Sequence, residues 1–129
     1  SSKEIINSLN QIKPPFNVSR PALFAASAAI KDTSWLKKEV NHIRKWNNIL
    51  FKKFKEMKIA TNESKTNFLL LNFDRVNISS KKVFQKLANL GILVRGMNVY
   101  GIKNSLRITI GNSKENKKLI SVLRKILNV

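Results

Sequence analysis

Between residues 34 and 59 the apolar side chains Leu36, Val40, Ile43, Leu50, Phe54 and Met57 recur three, four and seven positions apart, and Lys37, Lys38, Lys45, Lys52, Lys53 and Lys55 fill much of the remainder. That spacing follows the helical turn and predicts one long amphipathic helix. At the rise of an α-helix it would be about 40 Å long, more than the width of a compact domain of this size, so it is expected to bend or to bridge two bodies. Two shorter helices are expected before it. Residues 3–11 carry Ile5, Ile6 and Leu9 as an apolar stripe, and "KPPFN" ends the run because neither proline can donate the helical hydrogen bond. In "SRPALFAASAAIKD", Ser19 is placed to cap and Pro21 lies in the first turn, where its missing N–H does no harm. The body of this second helix is small and apolar nearly all round. Such a helix needs neighbours on several sides, which places the segment at the edge of a larger body.

After the long helix the pattern changes. "TNFLLLNFD" is a dense apolar run bounded by polar residues and reads as a buried strand. "SSKKVFQKLANLG" reads as a helix capped by Ser79 or Ser80, with Val83, Phe84, Leu87 and Leu90 as the buried stripe and Gly91 at the C-terminal position that tolerates positive φ. "ILVRG" and "SLRITIG" are two further strands, and "NSKENKKLISVLRKILNV" closes the chain as a helix with Asn112 and Glu115 in the N-cap to N3 relation. The expected fold is α/β, with an α+β-like small domain: a long helix followed by β-α-β-β-α, a small sheet with helices on one face.

Composition narrows the chemistry. The 129 residues include 43% hydrophobic side chains, enough for a core. The formal charge of +18 and the pI near 10.7 would ordinarily point to nucleic acid or an anionic surface. Lysine, asparagine and isoleucine are in joint excess, however, as A/T-rich codon usage produces, and that explanation outweighs selected basicity. The chain has no cysteine, which removes disulfides, thiolate nucleophiles and Cys-based metal sites. Its single histidine, His42, reads as an ordinary helix residue, so no metal site is expected. Trp35 and Trp46 read as packing residues rather than a stacking platform. There is no membrane-length apolar run and no signal peptide, so a cytoplasmic protein without a membrane partner is expected. The first residues already lie within a helical pattern, so the chain is expected to start in mid-protein.

Six arginines stand among 25 basic residues, and two of them, Arg95 and Arg107, sit inside short apolar runs rather than on an open charged face. Arginine presents a planar fork that grips a carboxylate or phosphate through two parallel hydrogen bonds, which lysine cannot do. Side chains alternate along a strand. Leu106, Ile108 and Ile110 therefore share one face and send Arg107 and Thr109 to the other, while Leu93 and Arg95 oppose Ile92 and Val94. If the two strands are neighbours, both arginines emerge on the face free of helices. The connection "GMNVYGIKN" can bring Tyr100 near them. Ordinary strand arginines with exposed heads remain the alternative at this level.

The string "GILVRGMNVYGIKNSLRITIG", preceded by "TNFLLLNF" and "KPPFNVS", strongly resembles the C-terminal part of histidinol-phosphate aminotransferases, pyridoxal-phosphate enzymes of the aspartate aminotransferase fold. The similarity runs from Lys13 to the end with order and spacing kept. It implies the C-terminal domain of a fold-type-I transferase: residues 1–33 as a remnant of the large cofactor-binding domain, 34–60 as the connecting helix and 61–129 as the small domain. It further implies that Arg107 grips the anionic group of the substrate, the phosphate of histidinol phosphate or the carboxylate of glutamate or 2-oxoglutarate. Arg95 would help shape the same pocket, Tyr100 being the residue that the connection can bring beside it, and Asn17 would approach it from the large domain. Lys13 departs from the family, which commonly has arginine there, and a bidentate grip at that position would be lost. The Schiff-base lysine motif and the aspartate that pairs with the pyridine nitrogen are not found in the sequence. No catalytic or cofactor-binding residue is therefore expected in it, and the piece alone should neither transaminate nor hold pyridoxal phosphate tightly. The full-length enzyme would be a homodimer of histidine biosynthesis, converting histidinol phosphate and 2-oxoglutarate to imidazole acetol phosphate and glutamate.

Two other readings stay open. The same fold serves other aminotransferases and phosphothreonine decarboxylases. From a different class, "FLLLNF" is faintly similar to the inner strand of an RNA-binding module, but "SLRITIGN" lacks the aromatics that would stack bases, so nucleic acid is not the expected partner.

Overall fold

The structure is a computed structural model that describes residues 2–14 and 17–129. Of the proline pair expected to end the first helix, Pro15 lies outside the described residues. Helix α1 spans Lys3–Ile12, α2 Arg20–Lys31 and α3 Thr33–Glu56; strands β1 (Ala60–Thr61) and β2 (Phe68–Asn72) follow, then α4 (Ser80–Asn89), β3 (Arg95–Gly96), a 3-10 turn at Asn98–Tyr100, β4 (Ser105–Thr109) and α5 (Ser113–Leu127). The chain divides into two compact units, Ser1–Lys37 and Lys38–Val129. No helix is long and apolar enough to cross a membrane among the described residues.

In the first unit, Ser2 and Ser19 cap α1 and α2 by accepting from the backbone N–H groups of Ile5 and Ala22, and Pro21 occupies the first turn of α2. Neither helix buries a residue. Ile5, Ile6 and Leu9 on α1 and Leu23, Phe24 and Ile30 on α2 are exposed. Trp35, expected to pack, is also exposed, whereas Trp46 in the second unit is buried.

In the second unit the four strands run in the order β1-β2-β4-β3, every neighbour antiparallel. Leu69 and Leu71 of β2 and Leu106 and Ile108 of β4 form one face, buried with Leu50 and Phe54 of α3, Val83 and Leu87 of α4 and Leu119 and Leu123 of α5. The small sheet with helices on one face is thus observed. Burying a side chain of this kind contributes roughly 1.5–3 kcal/mol, so the cluster is the main source of this unit's stability.

Three details differ from the expectation. β1 is an added strand, two residues long, paired through Ala60 with Asn72 and Thr61 with Leu71. β3 pairs only at Arg95–Gly96, because Ile92 and Val94 pack against the core from outside the ladder and Leu93 is 87% exposed. On α4 the stripe is narrower than expected: Val83 and Leu87 are buried, and Phe84 and Leu90 are exposed. Gly91 follows with φ +70°, ending the helix as the sequence implied. The α5 capping box is complete, with Asn112 accepting from the backbone of Lys114 and Glu115 while Glu115 accepts from the backbone of Asn112.

Candidate functional site

The site is built on the sheet face opposite the core. β2 and β4 alternate, so Phe68, Leu70 and Asn72 on one strand and Ser105, Arg107 and Thr109 on the other point away from the buried leucines. Leu70, Arg107 and Arg95 stand in direct register across three strands. Directly opposed residues of an antiparallel pair have Cβ atoms about 4.5–5.5 Å apart on the same face, so the two guanidinium groups spring from adjacent roots.

Each fork leans on an aromatic ring. The Arg107 guanidinium carbon lies 5.0 Å from the centre of the Phe68 ring, and that of Arg95 lies 5.2 Å from the Tyr100 ring. Arg95 also donates from Nη2 to the Tyr100 hydroxyl. Such contacts are worth about 0.5–1 kcal/mol when exposed, and they hold each guanidinium beside its ring. Among the described residues no carboxylate pairs with either arginine, and Nε of Arg107 is buried without an acceptor. The result is two adjacent, oriented forks whose charge is not consumed inside the chain.

The strand that carries Arg107 is tied at both ends. At its start Asn104, with φ +47°, accepts from the backbone N–H of Ser80 at 2.7 Å and donates to the Asp74 carboxylate at 2.7 Å. Asp74 also accepts from the Asn72 side chain, and these two amides, Asn104 first, hold its carboxyl below the ordinary value. At its end the buried Asn116 brackets Gly111, accepting from its N–H at 3.0 Å and donating to its carbonyl at 2.8 Å. His42 Nε2 lies 2.9 Å from the same carbonyl, and Trp46 donates to the Ser113 hydroxyl at 3.1 Å. A site held on rigid, doubly anchored elements keeps its geometry without reorganisation.

Of the residues singled out from the sequence, Arg95, Arg107 and Tyr100 lie together on this face. Asn17 is exposed in the bend between α1 and α2 and belongs to the other compact unit. Phe68 was missed, although alternation along "NFLLLN" would have put it on the arginine face. The clamp through His42 and Asn116 joins residues 69 and 5 positions from Gly111, and only the short one was within reach of a local pattern.

The arrangement can bind and orient a carboxylate or a phosphate, and no acid–base or nucleophilic constellation accompanies it among the described residues. Asp32 caps the start of α3, Glu56 is paired with Lys53 and Arg124, Glu115 serves its capping box, and Asp74 is held by two amides. No group of three or more His, Asp or Glu fit to hold a metal occurs among the described residues. The cofactor implied by the resemblance needs a lysine and an aspartate posed around one ring. Both aspartates, Asp32 and Asp74, are engaged as described, so the described residues do not make that seat.

Residues 1–123 match the family model for aminotransferase class I and II. The chain is similar to the histidinol-phosphate aminotransferase of Pelagibacter ubique, with 42% identity over 127 residues, 98% of this chain and 35% of that protein. It is similar also to the histidinol-phosphate aminotransferase of Brevibacillus brevis, with 35% identity over 98% of this chain and 34% of that one. It thus spans about a third of the length of these relatives. Among solved structures, the histidinol-phosphate aminotransferase from Clostridium acetobutylicum superposes with a TM-score of 0.88 at 25% identity, covering 98% of this chain and 39% of that one. The one from Sinorhizobium meliloti in complex with pyridoxal-5'-phosphate gives a TM-score of 0.83 at 22% identity, over 95% and 34%, a likeness of fold.

Proposed function

The chain belongs to the class I and II aminotransferase family, and from that premise we propose that it forms the C-terminal, substrate-recognising part of a pyridoxal-phosphate-dependent histidinol-phosphate aminotransferase. The observation that carries this reading is the direct pairing of Arg95 with Arg107 on a sheet face where neither has a carboxylate partner among the described residues. Two forks side by side suit a dianionic phosphate, or the carboxylate of the second substrate in the other half of the reaction, better than a neutral group. The 42% identity to a histidinol-phosphate aminotransferase favours that substrate over those of the decarboxylases that share the fold.

In this reading Arg107, braced by Phe68, takes the anionic end of the substrate through a bidentate pair of N–H groups. Arg95, braced by Tyr100, adds the second positive charge. Fixing one end of the substrate sets where the other end lies, which lowers the entropic part of the barrier to reaction. Pyridoxal phosphate supplies the electron sink that amino-group transfer requires, and we assign its binding to parts of such an enzyme other than these residues. The piece alone is then inactive. Residues 1–33, 34–60 and 61–129 take the parts of large-domain remnant, connecting helix and small domain, with Asn17 approaching the site from the first. The full-length enzyme would work as a homodimer in the cytoplasm.

Steady-state kinetics of the full-length enzyme test the assignment. A hydrogen bond to a charged group contributes about 1.5–3 kcal/mol, so Arg107→Ala should lower kcat/KM for histidinol phosphate by roughly 100-fold or more, and Arg107→Lys should recover only part of it. An unchanged kcat/KM in Arg107→Ala would refute the role.

A further inference from the structure

A second basic feature lies in the same compact unit. Lys58, Arg75, Lys82 and Lys86 line a cleft of about 670 Å³ whose floor includes Met57, Ile78, Ile126 and Leu127, and no acidic side chain lines it. Neither Arg95 nor Arg107 borders it. None of the four cations makes a salt bridge among the described residues. Lys58 and Arg75 also border an adjoining cleft with Lys55.

Codon bias toward lysine can supply exposed cations anywhere, so the number of charges decides nothing. Two positions do. Lys58 ends α3 in the left-handed conformation, φ +60°, with its N–H donating to Lys55 and that of Ile59 donating to Phe54. This is the two-bond helix ending in which glycine is the ordinary residue, because a Cβ is strained there. Lysine is held at a place where its backbone is disfavoured and its side chain borders both clefts. Arg75 is the other: in a chain that places lysine at most basic positions, the tight turn after β2 presents a guanidinium. A volume in the range of small-molecule sites, an apolar floor and a rim of four cations with the amides of Asn77 and Asn128, closed on one side by Val129, match one ligand chemistry.

We propose that the cleft lined by Lys58, Arg75, Lys82 and Lys86 binds a small phosphate-bearing ligand with an apolar body, at a site separate from the Arg95–Arg107 pair. Isothermal titration of the full-length protein with ADP, and with inorganic pyrophosphate, at constant ionic strength provides the test. Lys82→Glu/Lys86→Glu should weaken ADP at least tenfold. The exposed pair Lys45→Glu/Lys52→Glu, which makes the same change in net charge away from the cleft, should leave it within twofold. Arg107→Ala should leave ADP binding intact, which separates this site from the proposed substrate site. Lys58→Gly guards against misfolding: it should keep or raise the thermal midpoint and still weaken ADP severalfold, and pyrophosphate, lacking the apolar body, should bind more weakly than ADP. Equal losses in the two Glu pairs, no binding of ADP, or an RNA oligonucleotide bound more tightly than ADP with the same cleft dependence would each overturn the proposal.

Discussion

Arg95 and Arg107 face each other across the β3–β4 ladder, two like charges on directly opposed positions of an antiparallel pair. Opposed like charges destabilise a sheet by a few tenths to about 1 kcal/mol, and the rings of Phe68 and Tyr100 offset only part of it. Replacing Arg95 with Gln should therefore stabilise the second unit by roughly 0.5 kcal/mol while weakening binding of histidinol phosphate. Urea unfolding at low and at 1 M salt checks this: the gain should shrink as salt screens the pair.

Asn116 is 1% exposed and makes both of its bonds to the Gly111 backbone. Asn116→Ala leaves the part-buried N–H of Gly111 without this acceptor, and should cost about 1–2 kcal/mol in denaturant unfolding. Because the clamp fixes the end of β4, the full-length variant should also show a raised KM for histidinol phosphate.

A Cβ on Gly111 would run into the Glu115 side chain. Gly111→Ala should displace that carboxylate from its capping box and cost about 1–2 kcal/mol. In a Glu115→Ala background the same change should cost much less, and the non-additivity in thermal unfolding is the signature of the clash.

Asp74 gives the pH dependence a direction. Its carboxyl is held below the ordinary aspartate value, chiefly by the Asn104 amide and then by Asn72. The unfolded chain takes up this proton at a higher pH than the folded one, so stability rises with pH across that window. The contribution is complete above the unfolded value and is lost as pH falls through the lowered folded one. Asp74→Asn should flatten the fall in urea midpoint below about pH 4 without steepening it near neutrality.

Much of this was legible in the chain. The long helix, the caps at Ser19 and Asn112, a serine cap for α4 at 79 or 80, and Gly91 as a helix stop are local features, and local chemistry fixed them; Ser79 proves to be the cap. The shared face of Arg95 and Arg107 followed from alternation once the strands were taken as neighbours. β1 escaped notice because two residues carry no period, and its existence depends on Asn72 and Leu71 lying alongside. Leu90 and Phe84 followed the helical stripe yet are exposed: Leu90 is already the C-cap of α4, and only Val83 and Leu87 of the stripe are buried. Phe68 beside Arg107 was hidden in a run that read as uniformly buried, although Leu69, Leu71 and Phe73 face the core and Phe68 and Leu70 do not.

If Arg107 recognises the substrate of a pyridoxal-phosphate enzyme, its removal must silence the response of the cofactor to that substrate. The most direct measurement is the visible absorption spectrum of the purified full-length protein before and after adding histidinol phosphate, alongside Arg107→Ala. A cofactor band is expected in both proteins, changing on mixing only in the parent. A parent band indifferent to histidinol phosphate, or an Arg107→Ala protein that responds at the same concentrations as the parent, would contradict it.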